Sequence, residues 1–410
     1  MSEVGQDRYV VISTDGHCGA DVLAYKPYLP RQYHDEFDAW AATYHDPWGD
    51  LDSANPPSNR VGYASFNTTL NWDSDERQAL VEEQGVVAEI LFPNTAPPFI
   101  PSNAFAAPAP LSRHEYEYRF VGIQAHNRWL AEFCAQVPGR RAGIAQIFVN
   151  DLDDAIKEVQ WAKQAGLMGV LLPGDHVLSM ANYYYPEFDR LWAVCADLDM
   201  PIHRHGTNPC EGAEVAPAAP WIGSVECVLF STRAIAHLIC SGAFERHPNL
   251  KYVSTELLNG SAIPDLLAKL DAMASPAMLP MLPWIAEAAG ALSRKPSEYF
   301  ATNCYVGGPL DFRLAMDAQT PNLMFGIDAP HSEGTWPYTV EALRVMLSDV
   351  PVAQTRQLLS ETAAHVYGFD LGALQTVADR IGPSVSEVST PLPESEKPKI
   401  PTDTRCRAFA

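Results

Sequence analysis

Four short segments of the chain end in side chains that bind cations or move protons. Thr14-Asp15-Gly16-His17 closes the first and His203-Arg204-His205 the second. Glu256 closes the third, and Asp328-Ala329-Pro330-His331-Ser332-Glu333 follows the fourth. Imidazole and carboxylate together suit zinc, iron and manganese. Residues two apart on an extended strand face the same way, so Asp15 pairs with His17 in direction, and His203 with His205. One of the latter two is expected to bind a metal while the other orients it or meets a substrate anion. A cation also explains how several carboxylates stay ionised in a partly buried place, where crowding alone pushes their pKa values up. A lone histidine at a strand end is ordinarily a hydrogen-bonded rim residue. Four ends bearing such groups point instead to a metal site built from Asp15, His17, His203, His205, Glu256 and Asp328. His331 and Glu333 stand in the right loop, where a structural hydrogen bond is equally open. Cys18, by alternation, points away from the side of His17.

Short apolar runs alternate with helical patterns along the chain. The runs are Tyr9–Thr14, Ala88–Phe92, Gly143–Phe148, Gly169–Leu172, Pro201–His205, Lys251–Glu256, Tyr299–Val306 and Leu323–Asp328. Their near-continuous apolar character fits strands buried on both faces. Arg113–Ala135, Asp151–Ala165, Phe188–Leu198 and Ser224–Phe244 read as amphipathic helices, and Gly166 and Gly242 sit where helix ends favour glycine. Repeated strand–helix alternation predicts an α/β protein, a (β/α)8 TIM barrel over residues 1–382, with a doubly wound sheet as the alternative. In such a barrel the working groups lie at the C-terminal strand ends, where the four segments place theirs. Residues 27–83, rich in Trp, Tyr, Pro and Asp, read as a capping insertion after strand 1. Trp40, Tyr44, Trp48 and Tyr63 are its candidates for lining a pocket. Residues 383–410 form a Pro-rich extended tail, disordered or laid on a partner subunit.

The chain has 410 residues, with 28 Lys and Arg against 50 Asp and Glu, a net charge of −22. That surface argues against nucleic acid and against anionic lipid. No apolar run approaches the ~18 residues that cross a membrane. Met1–Val10 lacks a basic region followed by an apolar stretch, so no secretory signal is expected. The 8 cysteines are scattered without a CxxC pair, as in a reducing compartment. A cytoplasmic protein is expected, and as a large barrel a homo-oligomer.

Several segments together resemble a known family. Asp15-Gly16-His17, His205 after Pro201, Ala125-His126-Asn127-Arg128-Trp129-Leu130-Ala131, Ser241-Gly242-Ala243-Phe244-Glu245, Phe325-Gly326-Ile327-Asp328-Ala329-Pro330-His331 and Val366-Tyr367-Gly368-Phe369-Asp370 are similar to the amidohydrolase-related (amidohydrolase 2) TIM barrels. The resemblance spans about residues 8–392. The chain departs from the family's pattern in three places. Asp15 stands where hydrolytic members often carry the first His of a His-x-His pair. Gly169-Val170-Leu171-Leu172-Pro173 holds no lysine to bridge two metals. Glu256 stands where the decarboxylase branch uses a histidine.

One branch is similar in length, in the insertion after strand 1 and in Pro337-Tyr338-Thr339: nonheme diiron monooxygenases acting on CoA-linked substrates in terpenoid biosynthesis. That resemblance implies two iron ions shared among Asp15, His17, His205, Glu256 and Asp328; spacing alone does not show two metals. It further implies dioxygen, an electron donor and an apolar small-molecule substrate, with Arg204 and Arg294 available to an acyl-CoA. This monooxygenase is the expected function. The alternative is a hydrolase or nonoxidative decarboxylase with one Zn or Mn, where the metal polarises a carbonyl and Glu256 or His331 is the catalytic base. A third reading is a metal-stabilised barrel that binds a partner without turnover.

Overall fold

The computed structural model describes residues 7–44, 68–100, 109–174, 181–206, 216–256, 262–308, 312–400 and 404–409. Trp48, Tyr63 and Cys210 lie outside the described residues. The chain divides into two compact units, one formed by residues 1–107, 117–145 and 324–410, the other by residues 108–116 and 146–323.

The first unit is organised by short parallel strands: β1 (Ile12–Ser13), β2 (His17–Cys18), β3 (Ala88–Pro93) and β4 (Arg141–Gln146, whose last residue belongs to the second unit). β3 lies at the centre, with Ser13 opposite Glu89 on one side and Arg141 opposite Glu89 on the other. β2 continues the first segment past Gly16 and pairs His17 with Phe92. The second unit repeats the pattern with β5 (Gly169–Leu171), β6 (Ile202–His205), β7 (Tyr252–Thr255) and β8 (Cys304–Gly307), all parallel and paired in chain order. β9 (Leu323–Met324) stands where the chain returns to the first unit.

Local chemistry explains most boundaries. The helix Ser74–Glu83 is capped by the Asp73 carboxylate, which accepts from the Asp75 and Glu76 N–H groups at 3.0 and 2.9 Å. That start places Arg77 and Val81, one turn apart, on the buried face. The helix Leu152–Gln164 uses Asp151 in the same way. Gly166 and Gly242 both adopt positive φ beyond their helices, as their positions predict. The run Tyr299–Val306 is only partly a strand. Pro296–Asn303 is helical, because Pro296 is preset for a first turn and the Glu298 carboxylate accepts from the Lys295 N–H at 2.8 Å. The last run is also shorter than expected, since Asp328 leaves extended geometry at φ 56°.

Two further expectations change. The tail packs on its own unit where it is described: the Tyr9 N–H donates to the Pro383 carbonyl and the Val385 N–H to that of Asp7, and Val388, Leu392 and Cys406 are buried. The helix Ala219–Cys240 contains a stretch, Trp221–Cys240, long and apolar enough by length and composition to cross a membrane; half of it is buried, as in a core helix.

The first unit also buries an uncharged histidine. His126 Nδ1 lies 2.8 Å from the Tyr25 hydroxyl, which also meets Thr95 Oγ1 at 2.8 Å and accepts from the Ala20 N–H. Burial pushes the His126 pKa down to about 3. The depressed folded value means that the unfolded chain takes up a proton first as pH falls below about 6.5, so stability is lost in that direction until about pH 3. Urea midpoints should therefore fall between pH 7 and pH 5. His126→Gln should reduce that fall by about 2 kcal/mol, at about 1.4 kcal/mol per pH unit.

Candidate metal centre

The first unit brings four of the expected residues into one buried cluster. His17 Nε2 lies 3.3 Å from Asp15 Oδ1 and 3.2 Å from Asp328 Oδ1. His331 Nδ1 lies 3.1 Å from that same Asp328 oxygen. The two imidazoles stack, with centroids 4.0 Å apart. His17, Asp328 and His331 each offer a donor atom within 4.8 Å of the others. His17 Nδ1 faces the Pro93 carbonyl at 3.2 Å; a carbonyl only accepts, so Nδ1 carries a proton and Nε2 is the nitrogen turned to the carboxylates.

The electrostatics of this cluster are those of a cation site. Burial disfavours charge on His17, but the Asp15 and Asp328 carboxylates outweigh it and hold its pKa well above the ordinary histidine range. Burial likewise opposes ionisation of Asp328, and His331 and His17 outweigh that, keeping its pKa well below the usual carboxylate range. Yet neither oxygen of Asp328 has a hydrogen-bond partner among the described residues, although both are buried. The histidine nitrogens sit at attractive distances without making aligned bonds. Orphaned anionic oxygens beside ligating nitrogens are what a divalent cation completes, so this donor set fits a metal.

The second unit holds His203, Arg204, His205, Glu256 and Arg294, while Glu333, Trp40 and Tyr44 lie in the first. His205 Nδ1 lies 3.0 Å from the Gly206 carbonyl oxygen and 3.4 Å from Glu256 Oε2, which fixes its proton on Nδ1 and leaves Nε2 as the donor atom. Glu256 sits just past β7 at φ 59°. His203 is buried in β6, where burial lowers its pKa to about 3, and its Nδ1 faces the Val170 carbonyl at 3.2 Å. His203 is thus a neutral imidazole tied to the neighbouring strand. Glu333 accepts from the Ser332 hydroxyl at 3.3 Å. Arg204, a candidate for CoA, donates to the Pro173 carbonyl, while Arg294 stacks on Tyr299 at 4.2 Å. Trp40 and Tyr44 belong to an aromatic cluster with Phe37 and Phe99.

Sequence reasoning missed the residues that hold the cluster. Arg77 is buried and forms a bidentate pair with Glu89, Nε–Oε1 2.9 Å and Nη2–Oε2 2.8 Å. Arg77 Nη1 donates to the His17 carbonyl, and Nη2 to that of Ala329 at 3.4 Å. One guanidinium therefore fastens both ligand-bearing segments to β3. Gly16 is small for the same reason: a Cβ there would stand 3.0 Å from Arg77 Nη2. The available signal was Glu89, a charge inside an apolar strand, which demands a buried partner.

With this geometry in hand, the comparisons are informative. The family described as Amidohydrolase matches residues 106–369, more than half of the chain. The chain belongs to this family. A curated relative, gamma-resorcylate decarboxylase of Rhodococcus jostii (strain RHA1), is 26% identical over 274 residues, covering 62% of this chain and 77% of the relative. Among solved structures, an amidohydrolase from Mycobacterium avium subsp. paratuberculosis K-10 aligns with TM-score 0.61 at 20% identity, covering 89% of this chain and 99% of that one. 5-Carboxyvanillate decarboxylase from Sphingomonas paucimobilis aligns with TM-score 0.59 at 20% identity, covering 88% and 100%. A dihydroxybenzoic acid decarboxylase from Polaromonas sp. JS666, solved with manganese and 2-nitroresorcinol, aligns with TM-score 0.56 at 19% identity, covering 88% and 97%.

These findings establish the (β/α)8 barrel of the amidohydrolase type, and one of the similar structures, the Polaromonas decarboxylase, holds manganese. They overturn the monooxygenase expectation. The similar proteins of named activity are decarboxylases, and none points to diiron, terpenoid or oxidoreductase chemistry. The roles for dioxygen, an electron donor and acyl-CoA fall with it. The physical reason is that Asp, Glu and His donors alone do not select iron over zinc or manganese.

The Arg77–Glu89 pair can be tested directly. Arg77→Met should destabilise the protein by about 3–5 kcal/mol, because it strips a partner from a buried carboxylate. Arg141, whose Nε lies 3.5 Å from Glu89, sets the lower end. Arg77→Met/Glu89→Leu should recover most of the unfolding midpoint while metal retained after dialysis stays low. Full retention in the double variant would show that the grip on the His17 and Ala329 carbonyls is dispensable.

Proposed function

We propose that this protein is a metal-dependent nonoxidative decarboxylase of aromatic carboxylates bearing a hydroxyl beside the carboxylate. The observation that carries the reading is the buried Asp15–His17–Asp328–His331 cluster, in which the Asp328 oxygens lack aligned hydrogen bonds. The relationship to gamma-resorcylate decarboxylase supports the reaction class.

Asp15, His17 and Asp328 of the first unit would hold one Zn or Mn ion. When bound, that ion supplies positive charge to the carboxylate and the adjacent oxygen of the substrate. The protein's own task is proton delivery. The ring carbon bearing the carboxylate takes a proton, the carbon–carboxylate bond breaks, its electron pair returns to the ring, and carbon dioxide leaves. The net change is ArCO2⁻ + H⁺ → ArH + CO2. His331 is assigned to hold and move that proton through Nδ1, beside Asp328. Glu256 is assigned to orient His205 through Nδ1, leaving Nε2 as its ligand atom. The free thiols of the described cysteines support a cytoplasmic location.

Protein purified and loaded with Mn²⁺ or Zn²⁺ should release carbon dioxide from 2,6-dihydroxybenzoate or 5-carboxyvanillate under anaerobic conditions, and chelation should abolish release. Turnover that consumes dioxygen, or no release from any ortho-hydroxylated benzoate, would refute the reading. Glu256→Gln should weaken Mn²⁺ binding by about 10- to 100-fold with kcat little changed at saturating metal. Unchanged affinity with a collapsed kcat would move Glu256 to proton transfer.

A further inference from the structure

We propose that Thr255 is a substrate-binding residue whose buried hydroxyl donates to a carboxylate or phenolate oxygen of the aromatic acid. The side chain is fully buried, and its Oγ1 has no hydrogen-bond partner among the described residues. The neighbouring hydroxyl of the same strand behaves differently. Ser254 Oγ donates to the Ser231 carbonyl at 3.4 Å, toward the helix Ala219–Cys240 that packs on β7. Successive side chains of a strand point to opposite faces, so Thr255 points away from that helix, to the inner side of the strands. It is the last residue of β7, the end at which barrels of this type place their working groups.

Register sets the chemistry around it. Thr255 lies opposite His205 of β6 on one side and Gly307 of β8 on the other. Residues in register on parallel strands share a face, so the hydroxyl stands beside the His205 imidazole, whose Nδ1 is turned to Glu256. Gly307 adds no side chain on the other flank. The backbone here is already committed. The Thr255 carbonyl accepts from the Gly206 N–H at 3.0 Å, and the Glu256 N–H donates to the Gly307 carbonyl at 3.1 Å. A buried hydroxyl without a partner destabilises a fold, whereas valine has nearly the same shape and no polar atom to satisfy. Valine also suits a strand as well as threonine does. Threonine at this strand end is therefore the poorer residue for the ligand-free fold, and an oxygen that accepts from it on binding accounts for its presence.

The identity of that oxygen rests on the proposed decarboxylation, but the orphaned hydroxyl does not, and two measurements separate them. In ligand-free protein, Thr255→Val should raise the unfolding midpoint by about 1–2 °C, because an unsatisfied polar group leaves the interior. In Mn²⁺-loaded protein, the same variant should bind 2,6-dihydroxybenzoate or 5-carboxyvanillate about 10- to 100-fold more weakly by calorimetry, the loss expected for a hydrogen bond to a charged group. KM should rise with kcat little changed. Thr255→Ser, which keeps the hydroxyl, should bind as the wild type does. A lowered or unchanged midpoint in Thr255→Val would show a hydroxyl already satisfied within the fold, and wild-type affinity in that variant would show that it does not meet the ligand; either result overturns the proposal. Wild-type protein that binds either acid without releasing carbon dioxide, with the loss in Thr255→Val intact, would refute the decarboxylation and leave Thr255 as a binding residue. Wild-type protein that binds neither acid would refute both.

Discussion

The buried contact between Arg77 and Glu89 is the constraint on which the candidate metal centre depends. A guanidinium and a carboxylate taken out of water need each other, and the planar fork of arginine matches both carboxylate oxygens at once. Having satisfied Glu89, Arg77 still has donors left, and these reach the carbonyls of His17 and Ala329. The causal order runs from Asp73, which starts the helix, through the turn that points Arg77 inward, to the two segments that carry Asp15, His17, Asp328 and His331. Gly16 completes it by leaving room for the guanidinium. The ion-pair contribution to stability is secondary to this geometric role: it holds the two segments of the cluster, far apart in the chain, in one register.

Backbone conformation supplies a second constraint. Glu256 and Asp328 each sit at positive φ just beyond a strand. For non-glycine residues this region costs on the order of 1–3 kcal/mol and persists only where neighbours enforce it. At Asp328 the enforcing contacts are visible. Its N–H donates to the Asp15 carbonyl at 2.9 Å, and its carbonyl accepts from the His331 N–H at 2.8 Å. Gly334 closes the turn where a Cβ would meet the Ile327 carbonyl oxygen at 2.2 Å. The positive φ at Asp328 thereby ends the extended run and sets the carboxylate beside His17 and His331.

Much of this was legible in the sequence. The alternation of apolar runs and amphipathic helices gave the barrel, and the rule that chemistry sits at strand ends picked out Asp15, His17 and Asp328. What periodicity could not show was pairing across the sheet. Arg77 lies in a segment without a distinctive pattern, and its importance comes from register: Glu89 faces Ser13 and Arg141, and His17 faces Phe92. The same limit misled the reaction class. Residue types restrict the metal to a group of cations, whereas the choice between oxygen chemistry and decarboxylation depends on how many ions are held and where a proton can be delivered. Tyr299–Val306 shows the local version of the problem, since its aromatic residues suit a strand but Pro296 and Glu298 start a helix first.

The net charge of −22 bears differently on the proposed decarboxylation than on a reaction of neutral substrates. An aromatic carboxylate is an anion approaching an acidic surface, and the nearest buried groups, Asp15 and Asp328, repel it further. A bound divalent cation would offset those two charges, and protonated His17, held in that form by the same carboxylates, cannot remain so once its Nε2 binds the ion. Loading the site therefore exchanges one proton for two positive charges, a net gain of one where the substrate must bind. On this account the cation governs entry as well as chemistry, and the carboxylates that make the empty cluster hostile to substrate are the groups that make the loaded one receptive.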